Sequence, residues 1–169
     1  MNGVALAAVG AALVATGCGG GGGESTTSTA ASDEPLTKRE LIARGDSICG
    51  QAGDQFQELR QSPPTTAEGA AELTQKLIDI QQGELSRLRD LNAPAPLQSS
   101  LDDYLKALEK NIAVLKQGLR AAQQNDAAGY AEAQAQTVRE QVERLQLARA
   151  VGFKECSRPA GTAPGNAGG

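Results

Sequence analysis

The sequence predicts an all-α fold, an antiparallel four-helix bundle in up-down-up-down order, and three observations predict it. Apolar residues recur at three- and four-residue spacing in four separate stretches. No stretch alternates polar and apolar residues with the period of two that a half-buried strand needs. The stretches are joined by short breaks rich in Pro, Asn or Asp, and short connections between amphipathic helices make antiparallel neighbours the default.

The first helix opens at Thr37-Lys38-Arg39-Glu40, a capping box in which each end residue can bond the other's backbone N–H. Leu36 stands where a hydrophobic staple belongs. Leu41, Gly45, Ile48, Ala52, Phe56 and Leu59 then share one face, and Ser62-Pro63-Pro64 ends the run because Pro disfavours helix in the residue before it. Thr65-Thr66-Ala67-Glu68 reads as a second capping box, followed by Leu73, Leu77, Ile80, Leu85, Leu88 and Leu91. Asn92-Ala93-Pro94-Ala95-Pro96 is the next break. The third helix carries the most regular row: Leu101, Tyr104, Leu108, Ile112, Leu115, Leu119 and Ala122. Asn125-Asp126 makes a short turn with Asp126 as N-cap. The fourth helix presents Ala131, Ala135, Val138, Val142, Leu145 and Ala148, with Gly152 at its C′ position and Phe153 folding back onto the last turn. An Ala-lined face buries little apolar area, and burial stabilises by only about 25 cal/mol per Å². The core is therefore of modest stability, which gives weight to any cross-link.

Four regions follow: a signal segment over 1–17, a Gly/Ser/Thr tether over 18–35, the helical domain over 36–157 and a disordered Gly/Ala/Pro-rich tail over 158–169. From Val4 to Thr16 the chain is apolar or small and uncharged. That run is about 13 residues, against the roughly 20 of a spanning helix, and it suits the apolar core of a secretory signal. Ala15-Thr16-Gly17-Cys18 resembles the lipobox of bacterial lipoproteins. The resemblance implies cleavage before Cys18 and a diacylglyceryl group on its sulfur. Ordinary cleavage after Gly17 and free secretion is the alternative. Gly19 to Gly23 and the Ser/Thr-rich residues after them form no core, and a flexible chain of this length spans about 20–25 Å.

Three cysteines are present. With Cys18 lipidated, Cys49 and Cys156 remain, and an even pair in an oxidising compartment reads as a disulfide. Such a bond closes a loop of about 107 residues, worth roughly 4–5 kcal/mol in the chain-entropy model. Cys49 lies about 12 residues past Thr37, some 18 Å along the helix. The bond therefore requires residues 153–156 to run back along the first helix, or the fourth helix to stop short. Two free thiols or a redox-active pair are the alternatives, and no Cys-x-x-Cys favours redox work.

The segments LTKRELIARGDSICGQAGDQF (Leu36 to Phe56) and ARAVGFKEC (Ala148 to Cys156) resemble the two ends of a group of uncharacterised exported actinobacterial lipoproteins. The resemblance implies a signal, a low-complexity tether and a helical domain with a cysteine near each end. It implies architecture and location and brings no activity.

Composition excludes several function classes. The chain has no His, which removes His-based triads, His acid–base chemistry and His metal ligands together. A net charge of -4 argues against nucleic-acid binding, and 2% aromatics argue against base stacking. No P-loop, EF-hand, Gly-x-Ser-x-Gly or Glu-x-x-His occurs, and the glycine run is not led by a strand. Asp102 with Lys106 and Glu140 with Arg144 read as solvated i,i+4 pairs. Arg139, Arg144 and Arg149 spiral around the last helix and form no stripe. The expectation is a monomeric module at the extracytoplasmic face of the cell membrane, held by its lipid anchor and free of catalysis, metal, cofactor and nucleic acid. It would bind an envelope protein or serve the envelope structurally. A carrier of a small apolar ligand between the helices is the alternative, and an enzyme using carboxylates or a thiol is the third reading.

Overall fold

The computed structural model describes residues 34–159. The signal segment 1–17, the lipidation residue Cys18, the tether up to residue 33 and the tail from residue 160 lie outside the described residues. Within them the chain forms α1 (Lys38–Arg60), α2 (Ala67–Arg89), α3 (Ala95–Gln123) and α4 (Ala127–Val151), and no strand among the described residues.

Local chemistry sets the helix ends. The Thr37 box is complete: Glu40 N–H donates to Thr37 Oγ1 at 3.3 Å and Thr37 N–H donates to Glu40 Oε2 at 2.9 Å. The second box does not form. Thr66, one residue later than expected, is the N-cap, and its Oγ1 accepts from Gly69 N–H at 3.1 Å. The expected break at 92–96 is shorter than its prolines suggest. Helix α3 begins at Ala95, with Pro94 as N-cap and Pro96 in the first turn, where a missing N–H leaves nothing unpaired. Asp126 caps α4 through Gly129 N–H at 2.9 Å. Gly152 ends it in the left-handed region at φ 104°, where a side chain would be strained.

Consecutive helices pack on one another, in a manner compatible with the up-down-up-down order. The apolar centre is built from Leu41, Ile78, Leu88, Leu101, Tyr104, Leu108, Val151 and Phe153, all nearly inaccessible. Helices α3 and α4 approach closely because small residues meet: a Cβ on Gly118 would stand 3.2 Å from that of Ala133.

Two helix faces differ from the sequence reading. Val138 and Val142 of α4 are 64% and 58% exposed, and Ala131 and Ala135 are exposed beside them. Leu145 and Ala148 are buried as expected, and the inward row is completed by Ala133 and Val151, with Thr137 and Arg144 half-buried beside them. On α2 the buried row is Thr74, Ile78, Gln81, Leu85 and Leu88, with Glu84 alongside, while Leu73, Leu77 and Ile80 sit at its edge. The two shifts share one cause. Polar residues are turned inward: Thr74, Gln81 and Glu84 on α2 and Asn111 on α3 are buried, and Arg144 of α4 acts on Glu84. Neither expected i,i+4 pair forms: Lys106 bonds Asp103 at 3.4 Å, and Glu140 bonds Lys110 across α3 and α4 at 2.6 Å.

The edge between α1 and α4 lacks the helix-on-helix packing of the other three. The residues after α4 close it. Phe153 packs over Gly45, the only residue type that leaves room for its ring. Asp46 Oδ1 accepts from the N–H groups of Lys154 at 2.7 Å and Glu155 at 2.8 Å. Cys156 then meets Cys49 in a disulfide with the Cα atoms 5.1 Å apart. Of the two routes the sequence allows, the chain takes the first, running back along α1.

This closure can be tested at two of its contacts. Gly45→Ala gains helix propensity of up to ~1 kcal/mol, yet forces the Phe153 ring aside, an overpacking cost of about 1–3 kcal/mol. Urea denaturation should show net destabilisation. The double variant Cys49→Ala with Cys156→Ala should lose roughly 4 kcal/mol in the same measurement, through the entropy of the opened loop.

Candidate functional site beside the disulfide

Glu84, Tyr104 and Arg144 converge on the disulfide. Glu84 is 4% exposed, and its Oε1 lies 3.2 Å from Cys49 Sγ. The bonded sulfur has no proton to give. Tyr104 Oη donates to the same Glu84 oxygen at 3.5 Å and stands 3.8 Å from Cys49 Sγ. Its ring meets Phe153 edge-on, with centroids 5.8 Å apart. Arg144 reaches the cluster from α4 and hydrogen-bonds the Tyr104 side chain. Its Nε is shielded from solvent and has no hydrogen-bond partner among the described residues.

Burial governs the protonation of this cluster. It pushes the Glu84 carboxyl above its ordinary range, against the opposing influence of Arg144, the Tyr104 hydrogen bond and Arg87. Burial, then the Glu84 charge, push Tyr104 upward as well, and Arg144 again opposes. Both groups hold their protons more tightly than in water.

The cluster opens into a cleft of about 270 Å³ along the α1–α4 edge. Gly50, Ala52, Gly53 and Phe56 of α1 form one wall; Glu84, Arg144 and the disulfide line it; Arg158 and Pro159 contribute from the returning chain. No atom lies within 4 Å of where a Cβ would stand on Gly50 or Gly53, so α1 presents bare backbone to open space. The sequence reading places Arg158 in the disordered tail. It instead bonds Glu155 at 2.7 Å, next to the cleft.

The structure thus unites Cys49 and Cys156 as predicted and adds Glu84, Tyr104 and Arg144, which sequence reasoning missed as a site. A signal for Glu84 existed. Positions 74, 78, 81, 85 and 88 form a regular 4-3-4-3 row, and its polar members announce a polar inner face. Among the described residues no group of three or more His, Cys, Asp or Glu could hold a metal ion. No described helix is long and apolar enough to cross a membrane. In comparisons with known proteins, no family model, no curated protein and no solved structure matches the chain.

The raised pKa of Glu84 acts on stability with a definite sign. The folded state holds this proton more tightly than the unfolded chain, so the stabilising effect is full below the unfolded carboxyl range. It is lost as pH rises from there through the folded value. Glu84→Gln keeps the shape and removes the titration. Its thermal midpoint should match that of the parent protein at low pH and exceed it near neutrality. The gap should widen steadily as pH rises through the folded value. Equal pH profiles for the two proteins would contradict the assignment.

Proposed function

We propose that this chain is an exported lipoprotein of the actinobacterial kind it resembles, held at the extracytoplasmic face of the cell membrane through Cys18, and that its helical domain is a non-catalytic binding module. The observation that carries the reading is the Cys49–Cys156 disulfide. Stable disulfides belong to oxidising compartments, and a chain that makes one there needs export. The uncharged run from Val4 to Thr16, directly before Gly17 and Cys18, supplies an export signal and a lipid attachment point. Two or more acyl chains give stable anchoring where one gives only marginal binding.

The non-catalytic reading rests on the cluster's chemistry. Both of its sulfurs are bonded to each other, which leaves no thiol nucleophile. What the cluster offers is donors and a cleft, the equipment of a binding protein. An envelope component is the partner class, and the acidic balance of the chain disfavours nucleic acid. The module acts as a monomer.

Detergent phase partition of native material tests the anchor. The parent protein should enter the detergent phase, with an intact mass showing an acylated chain beginning at Cys18. Cys18→Ser should stay in the aqueous phase. A parent chain that is aqueous and unacylated, beginning at residue 18, would mean free secretion and end the lipoprotein reading.

A further inference from the structure

We propose that the cleft at the α1–α4 edge binds a small organic monocarboxylate, with Arg144 gripping the carboxylate and Ala52 and Phe56 packing against its apolar body. This rests on the reading of the domain as a binding module and gives that module a ligand class.

Three observations carry it. The first is Arg144. A guanidinium is all donor and no acceptor, and its Nε here is shielded without a partner among the described residues. A shielded donor of that kind is stabilised by any acceptor that reaches it, and a planar carboxylate matches the guanidinium fork with two parallel bonds. Glu84 lies within electrostatic reach of Arg144, yet neither it nor any other described residue places an acceptor on Nε.

The second is the shape of the cleft. At about 270 Å³ it admits a small molecule and excludes a peptide helix. The bare faces of Gly50 and Gly53 keep it open, with nothing within 4 Å of where a Cβ would stand on either. Its apolar lining includes Ala52, Phe56 and Pro159, so a ligand with an apolar body fits better than a bare ion.

The third is the charge at its wall. Arg60, Arg144 and Arg158 line the cleft with Asp54 and Glu155. Glu84 lines it too, so three guanidiniums face three carboxyl groups, a wall that accommodates one carboxylate seated on a guanidinium and opposes a dianion such as phosphate.

Benzoate, its neutral isostere benzamide, and inorganic phosphate are suitable probes for the full chain, followed by amide chemical shifts. Benzoate should shift the Gly50 and Gly53 amides saturably at millimolar concentration. Benzamide and phosphate should bind more weakly by roughly tenfold or more, lacking the charge or the apolar body. Arg144→Gln should weaken benzoate by a similar factor. Gly53→Met fills open space at a helical position, so it should keep the thermal midpoint and abolish the benzoate shifts. Benzoate binding that survives Gly53→Met, benzamide binding equal to benzoate, or no saturable shift would each overturn the proposal. If Arg144→Gln unfolds, the Gly53→Met and benzamide arms still decide it. The titration does not depend on Cys18. A chain that partitions as a lipoprotein yet binds no probe sinks the cleft and spares the anchor.

Discussion

The return of residues 153–156 along α1 is the constraint on which the rest of this structure depends. Three edges of the bundle are sealed by one helix packing on the next. The fourth is sealed by a strap. Its parts are specific and different in kind: a ring laid on a glycine, one carboxylate capping two backbone N–H groups, and a covalent bond. The first supplies apolar burial, the second pairs donors that would otherwise be stranded past the helix end, and the third removes entropy from the unfolded chain. A bundle whose last helix is lined by alanine gains little from packing that helix more tightly. A strap that joins its two termini is the more effective reinforcement.

The strap also explains why the interior tolerates so much polarity. Gln81 and Asn111 each bury a side-chain oxygen without a partner among the described residues, and Glu84 is buried outright. Such groups cost free energy unless they are satisfied. Glu84 and Tyr104 are hydrogen-bonded next to the disulfide and Arg144 bonds Tyr104, while Arg144 Nε keeps no partner among the described residues. Polar residues at a core position, retained at a cost, are where function is to be sought.

How much of this was legible beforehand depended on whether the cause was local. The caps at Thr37, Asp126 and Gly152 were readable because each is decided by a few adjacent residues. The disulfide was readable from location and arithmetic, and the requirement that the chain run back along α1 followed from helix rise alone. The faces of α2 and α4 were not. Counting apolar residues favoured Val138 and Val142 over Thr137 and Arg144, because periodicity sees hydrophobicity and cannot see a partner on another helix. Arg144 looked like the companion of Glu140 on its own helix. Lys110 of α3 takes that role, and the arginine is freed to turn inward. Thr66 displaced Thr65 as the cap because two adjacent threonines offer the same chemistry, and the local pattern alone does not rank them.

The bond that stabilises the fold also completes the cleft. Cys156 lines it, and the residues just beyond, Arg158 and Pro159, stand at its wall, with Arg158 bonded to Glu155. In a reduced chain the strap retains Phe153 and the Asp46 cap but loses its last anchor point. The wall it carries is then the part of the structure with the least to hold it, since local opening takes the segments with fewest buried contacts first. Oxidation therefore adds the last of the contacts that hold that wall.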